Sequence, residues 1–320
     1  MKQIVNKLVI LTLSLLIISC NEDDKITNPH QTVSSSDSFK IEQEIAAAEM
    51  AVSNIAHVIQ LALDQEQVLT ASNAYPIITK EKLDPNQPNL YPLNLVIDFG
   101  VDTVAGFDHR YRCGKIIAKI SANWKDSLSV IEAKVQNYYF ATHTPNYSQG
   151  NINSVFVNEC NVSSKLKIIN KGLTNGYDNT YYPTQEIYCD STNISSRYGN
   201  ITFSTSRYVL YKEGFETPTY LDDKTINLLY SSGEALSVGG KKWIWNARNV
   251  DDIEEGHPYF AFNRDCYWLV SGNINLAYKD ILSDSDFIHR IIGFGQSDQT
   301  KCDNSAFFSF KGIDIIFQLP

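Results

Sequence analysis

The sequence predicts a mainly β protein: an antiparallel, β-sandwich-like body, read with or without two similar halves, and one N-terminal α-helix docked on it. Three observations predict this. Short stretches rich in Tyr, Phe, Ile, Val and Thr recur through residues 93–320, separated by turn residues. One helical periodicity stands before them, in residues 39–70. Eighteen Tyr and 15 Phe accompany only two Met, a balance that favours strands.

The chain opens with Lys2 and Lys7 and then an apolar run, Leu8 to Ile18. At helical rise this run covers roughly 16 Å, about half a hydrocarbon core, which suits a secretory signal better than a membrane span. It ends in Ile17-Ile18-Ser19-Cys20, a small residue directly before Cys. That ending resembles the bacterial lipobox. The resemblance implies removal of residues 1–19, diacylation of the Cys20 thiol and acylation of its new amino group. Two or more acyl chains give stable anchoring where one does not. Asn21 differs from the Asp that retains some lipoproteins at the inner membrane. Glu22-Asp23-Asp24 resembles the acidic tag that sends lipoproteins to the outer face of the outer membrane. The expected location is therefore the outer membrane, lipid-anchored and facing the exterior, with the periplasmic face as the alternative.

The net charge is −9, and loss of residues 1–19, which hold two lysines and no acid, takes it to −11. No basic excess exists to displace phosphate counterions, so nucleic acid is not an expected partner. Beyond Cys20, five cysteines remain: Cys113, Cys160, Cys189, Cys266 and Cys302. Their odd number leaves at least one outside an intramolecular bridge, and their spacing contains no CxxC. Buried thiols with one or two bridges are expected, and the pairing stays open.

Residues 20–38 carry the lipidated Cys and a polar tether rich in Ser and Asp, with an end-to-end distance of roughly 24 Å. In residues 39–70, Ile41, Ile45, Ala48, Val52, Ile55, Ile59 and Ala62 recur at alternating spacings of four and three. That is one stripe of a helix, with Asp37 or Ser38 as N-cap. The stripe packs on the β body or, as the competing reading, pairs with another copy. His57 lies off it and is expected to be exposed. Residues 71–92 contain Pro76, Pro85, Pro88 and Pro92, which exclude a helix or a central strand and suggest an extended connector.

A first β region is expected at 93–215 and a second at 216–320. Strands are predicted over 93–99, 112–121, 129–140, 153–157, 165–170, 199–211, 243–246, 259–262, 266–278, 290–294 and 306–319. Turns are predicted at Asn175-Gly176, Lys212-Glu213-Gly214, Ser232-Gly233, Gly239-Gly240 and Ser271-Gly272-Asn273. Residues 222–230 admit a short second helix. The segments LVIDFG (95–100) and RIIGFG (290–295) echo each other, each followed by a polar loop and a Gly-containing strand. Gly after the aromatic would take a positive φ where the strand leaves the sheet.

Taken together, LNLVIDFG, RYRCGKIIAKIS, SVIEAKVQNYYF and the closing IIGFG…KCDNSAFFSFKGIDIIFQL are similar to a family of uncharacterised bacterial envelope lipoproteins. The resemblance covers about residues 90–140 and 288–320, with a looser match around 243–272. It implies no activity, ligand or catalytic residue. Tyr75 and Thr103 stand where relatives often have Cys, and the stretch from Tyr278 to Ile291 is shorter, so no disulfide scheme is carried over.

The sequence has no HExxH, GxSxG, Walker loop or complete GxGxxG, and no His pair at metal spacing. No cofactor, metal site or catalytic residue is assigned. Trp243, Trp245, Tyr259, Tyr267 and Trp268 form an aromatic cluster, a candidate ligand-binding platform for glycans, with core packing as the plain alternative. Asp98, Asp102, Asp108, Asp298 and Asp303 are hard oxygen ligands in loops, though at no EF-hand spacing. Asp251, Asp252, Glu254, Glu255 and His257 share one loop, where paired carboxylates would suit glycosidase chemistry and a solvated surface is the plain alternative. The expected function is binding or accessory work at the outer membrane: adhesion, glycan capture or membership of an envelope complex. A hydrolase acting on envelope or dietary glycans is the alternative.

Overall fold

The computed structural model describes residues 35–64, 76–102, 104–105, 110–141, 154–157, 166–176, 179–196, 199–217, 224–237, 242–249, 261–262, 269–281, 286–294, 305–310 and 313–318. The chain divides into an N-terminal unit, Met1–Ser38, and a body, Phe39–Pro320. The body is mainly antiparallel β with one helix packed on it, as expected.

Helix α1 spans Ser35–Asp64. It starts before the anticipated cap; residues 65–70 of the expected helix lie outside the described residues. Among the described residues sixteen strands follow and belong to one sheet. They are β1 (Ile77–Lys82), β2 (Leu93–Asp98), β3 (Val104–Ala105), β4 (Tyr111–Ile120), β5 (Val130–Ala141), β6 (Ser154–Val157), β7 (Leu166–Asn175) and β8 (Tyr181–Ser196). Then come β9 (Gly199–Glu213), β10 (Lys224–Ser237), β11 (Lys242–Asn249), β12 (Ala261–Phe262), β13 (Leu269–Asp280), β14 (Ile288–Phe294), β15 (Ser305–Phe310) and β16 (Ile313–Gln318). The main path runs β1-β2-β4-β5-β6-β8-β9-β10-β11-β13-β14-β15-β16; β7 bridges β5 and β8, β12 lies against β10 and β13, and β3 pairs with β4. The two β regions form one body, because β9 and β10 pair continuously across their boundary.

The helix lies inside this sheet. Every residue from Glu44 to Val52 is buried, and burial over more than two consecutive turns leaves no face open. The sheet therefore curls around α1, which fills the space where a sandwich would bring two sheets together. Burial on all sides overturns pairing of two copies through the apolar stripe, and it accounts for a composition that by length and hydropathy would also suit a membrane span. His57 is half-buried rather than exposed.

The strands show why the sheet curls this way round. In β2 the pattern alternates, with Leu93, Leu95 and Ile97 buried and Asn94, Val96 and Asp98 partly exposed. Ile116, Ala118 and Ile120 of β4 and Ile131, Ala133 and Val135 of β5 continue the inner layer, while Lys115, Lys119 and Lys134 are exposed on the outside.

Several local expectations differ. The Pro-rich connector holds β1, but at the end of the sheet and between Pro76 and Pro85, where Pro is tolerated. The short helix admitted at 222–230 does not form over its described part: Lys224–Tyr230 lie in β10, paired with β9. Strand β8 was unforeseen because Pro183, Asp190 and Asn193 interrupt its apolar pattern. Gly233 and Gly272 lie within β10 and β13 rather than in turns. A Cβ on Gly233 would sit 2.3 Å from the Thr202 carbonyl oxygen and 3.0 Å from the Trp245 ring, so glycine there serves close packing.

Gly100 does take the expected positive φ, +81°, after Phe99. The second Phe-Gly echo is not matched in pairing. β4, which contains Cys113-Gly114, lies directly beside β2, whereas β16 pairs with β15 and not with β14. Gly295, Lys311 and Gly312 lie outside the described residues.

Gly114 has φ +82°, and an added Cβ would fall 2.2 Å from the Asn137 carbonyl oxygen at the β4–β5 bulge. Gly114→Ala is therefore expected to cost about 2–3 kcal/mol. A lowered urea midpoint with an unchanged m-value would show it.

Candidate functional site

The polar chemistry of the described body concentrates along α1. Glu42, Glu49, Ser53, Gln60 and Asp64 follow at spacings of seven, four, seven and four, which keeps them on one helical stripe. All but Ser53 and Asp64 are fully buried. A buried polar atom needs a partner, and the strands and the β4–β5 connection supply one at each step.

Glu42 accepts a hydrogen bond from Tyr278 Oη on β13 at 3.0 Å, and Arg290 Nε of β14 lies 4.0 Å from the same carboxylate oxygen. Glu49 is paired with Arg207 of β9, and both are buried. Arg207 Nη1 also donates to Ser53 Oγ at 2.6 Å. Gln60 Nε2 donates to Gln185 Oε1 of β8 at 2.6 Å and to Tyr211 Oη of β9 at 3.1 Å. Tyr211 Oη closes the triangle by donating to Gln185 Oε1 at 2.8 Å. Asp64, at the negative end of the helix, accepts from Trp124 Nε1 at 2.6 Å.

A second contact lies off this stripe. The Asn54 amide nitrogen donates to Tyr138 Oη at 2.7 Å, and its oxygen accepts from Arg112 at 2.9 Å and Arg110 at 3.0 Å.

Burial sets the electrostatics. Glu42 is raised from 4.5 to about 7 by desolvation, which its own backbone, Tyr278 and Arg290 only partly oppose. The same burial, together with the facing Glu42, raises Tyr278. Desolvation raises Asp64 against the pull of Trp124 and Lys125, and it lowers Arg207 against the support of Glu49.

A carboxyl near neutrality suits proton transfer, but a substrate must reach it. Glu42 has no exposed surface. A cavity between α1 and β5, β7 and β8 amounts to about 10 Å³ and is lined by Val52, Ile55, Val135, Leu166, Cys189 and Ile194. That is room for about one water. The arrangement therefore fixes the helix within the sheet.

The sequence-predicted sites fare differently. Trp243 and Trp245 are 1% and 3% exposed, so they are core rings and do not form a surface platform. Trp243 packs edge-on against Tyr278 with centroids 5.6 Å apart, walling the space around Glu42. Tyr259, Tyr267, Trp268, Cys20 and the acidic loop from Asp251 to His257 lie outside the described residues. Asp98 is engaged by Lys115 at 2.6 Å and by the Gly100 N–H at 2.9 Å. Burial opposes ionisation of Asp98, but Lys115 and Gly100 outweigh it and hold the carboxyl below its usual value. Asp102 is exposed, and Asp108, Asp298 and Asp303 are outside the described residues. Among the described residues no group of three or more His, Cys, Asp or Glu could hold a metal ion. Cys113 and Cys189 are buried thiols, and Cys189 Sγ lies 2.8 Å from Thr192 Oγ1; Cys160, Cys266 and Cys302 are outside the described residues.

Sequence reasoning missed the polar stripe, although its seven-four spacing is visible in the chain. It also missed an exposed arm. Beyond Asn170 and Gln185, β7 and β8 continue as a hairpin. Leu173 and Tyr181 on it are each 67% exposed. Tyr181 and Pro183 lie on the same face of β8 as Gln185, and Leu173 pairs with Pro183. This face continues the one that meets α1 at Gln60, but the helix ends one turn later and leaves the arm uncovered. Leu128 is exposed beside it, at φ +66°, with its N–H donating to Asn170 O at 2.8 Å. That backbone region is rare for a bulky residue.

No family model, curated protein or solved structure matches the chain.

Two outcomes are expected. Breaking the Glu49–Arg207 pair by Arg207→Met should cost about 3–5 kcal/mol, because a buried charge loses its partner, while Glu49→Leu with Arg207→Met should recover most of the loss. Denaturant titration of the single and double variants measures both. Glu42 binds its proton more tightly folded than unfolded, so its contribution is intact below pH 4.5 and lost as pH rises through about 7. The shift corresponds to about 3 kcal/mol. Stability should fall across that window, and Glu42→Gln should flatten the fall.

Proposed function

We propose that this chain is a lipid-anchored binding or accessory protein of a bacterial outer membrane, held through Cys20 and displayed to the exterior. Adhesion, glycan capture and service in an envelope complex are the roles that fit. The anchoring rests on Leu8 to Cys20 and the polar tether behind it.

The observation that carries the binding reading is the β7–β8 arm. Apolar and aromatic side chains cost free energy when left in water, and Leu173, Tyr181 and Leu128 are left there together. The arm lies at the end of the body where α1 stops, while the chain enters the body at the opposite end of the helix, near Phe39. Residues 39–64 span about 39 Å at helical rise, so the arm reaches away from the point where the tether enters. Tyr supplies rigid contact area at low entropic cost, and Asn175, Asn179 and Thr180 at the tip supply adaptable hydrogen bonds.

Crosslinking and pull-down of the lipidated protein from intact cells tests this. Leu173→Ser with Tyr181→Ser should lower the captured partner or glycan about tenfold, with circular dichroism unchanged. Equal capture by the folded double variant would remove the arm from the reading. Cys20→Ala should release the protein into the soluble fraction; retention in washed membranes would defeat the lipid anchor.

A further inference from the structure

We propose that the last strand, β16, is a pairing edge that joins two copies of this chain into one continuous sheet across a two-fold axis. This goes beyond the binding reading and does not depend on it.

The sheet has two ends, β1 and β16, and they are built differently. Among the described residues β1 pairs only with β2, and β16 only with β15. Exposed strand edges invite pairing with other chains, and proteins discourage it with charges, Pro or bulges. β1 is guarded in that way: its sequence is Ile-Ile-Thr-Lys-Glu-Lys, and Pro76 precedes it. β16 is Ile-Asp-Ile-Ile-Phe-Gln, with Asp314 as its one charge and Lys311 and Pro320 each two positions outside it, and its ladder with β15 runs in register from end to end. Among the described residues nothing pairs with its outer edge.

One apolar row crosses the outer face next to this edge, between positions that the sequence fills with His289, Ser305, Ser309, Asp314 and Gln318. Gly293 of β14, Phe307 of β15 and Ile316 of β16 stand side by side in the register. Ile316 is 58% exposed, and Ile291, two residues from Gly293 on the same face of β14, is 51% exposed. An added Cβ on Gly293 would meet the Phe307 ring at 2.3 Å, so that ring lies flat across the glycine. Elsewhere the outside of the sheet carries Lys115, Lys119 and Lys134.

A second copy fits this edge by register and charge. Under a two-fold axis normal to the sheet, residues that face each other must have the same parity, so that outer faces outer. Centring the axis on Ile316 sets it against the second copy's Ile316, Ile315 against the second copy's Phe317, and Asp314 against the second copy's Gln318. The one charge in the strand then faces a neutral hydrogen-bonding residue. Centring on Asp314 would set two like charges opposite each other, which is unfavourable. The favoured register also joins Ile291, Phe307 and Ile316 of both copies into one apolar band, and both strand edges gain backbone partners. The guarded β1 edge makes head-to-tail pairing of β16 with β1 the poorer match.

The test uses the full-length, lipidated chain on intact cells. Ile316→Cys should give a disulfide-linked dimer on mild oxidation, about tenfold more than Lys134→Cys, because Cβ atoms of directly opposed strand residues lie about 4.5–5.5 Å apart. Both variants keep the native cysteines, which therefore cancel in the comparison. In detergent, Ile316→Lys should shift the protein from dimer to monomer by light scattering with unchanged circular dichroism. Equal crosslinking of the two Cys variants, or a monomeric wild-type chain, would overturn the proposal. So would a ladder of higher oligomers trapped by combining Ile316→Cys with Thr79→Cys, which would mean head-to-tail pairing.

Discussion

The pairing of polar helix residues with strand residues inside the sheet is the constraint on which the rest depends. A helix enclosed on every side should be apolar all round. This one carries Glu42, Glu44, Glu49, Asn54 and Gln60 at buried positions. Each polar group placed there costs several kcal/mol unless it is met, and an unmet charge costs more. The contacts Tyr278–Glu42, Arg207–Glu49, Tyr138–Asn54 and Gln185–Gln60 meet that demand at four of these positions, five to seven residues apart along the helix. They also fix the rotation and height of the helix, because a shift by one residue would separate every pair at once. Apolar packing alone would tolerate such a slip.

The same constraint explains how the sheet is laid out. The partners of the stripe come from β8, β9, β13 and β14, and those of Asn54 from β4 and β5. Strands far apart in the sheet order must therefore converge on one helix, which a flat sheet cannot do. Curling leaves an outer face in water, and exposed lysines on β4 and β5 fit that position. It also leaves two ends, one guarded by charge and one apolar, and a hairpin longer than the helix it would otherwise cover. Two groups of exposed apolar side chains lie where the enclosing logic runs out: Leu173 and Tyr181 beyond Gln60 of α1, and Ile291 and Ile316 by the last described strand.

Trp243 and Trp245 show how the enclosure reassigns residues. Two tryptophans at i, i+2 on a strand lie on one face, and nothing local decides whether that face meets water or core. Here it meets the core, and Trp243 packs on the tyrosine that holds Glu42. The residues that local pattern would offer to a ligand are spent on the interior, and Leu173 and Tyr181, which stand in a polar stretch, are left exposed.

Much of the body was legible in the chain. Alternation and β-branched content located β2, β4, β5 and β14 to within a residue or two, Phe99-Gly100 located a strand exit, and one periodic stripe located the helix. Strands β8 and β10 were not legible: Pro183 and Asp190 broke the pattern in one, and Leu228-Leu229 in the other suits a helix as well as a strand until β9 pairs with it. By itself the sequence determined the secondary-structure class, the helix near the start of the body and the signal-like start, because these rest on spacing and composition within short windows. Only the tertiary structure decided which helix face is inside, and that from Glu44 to Val52 it is all of them. The groups that make this affordable lie 125 and 236 residues away, at Gln185 and Tyr278, and no local window contains both members of a pair.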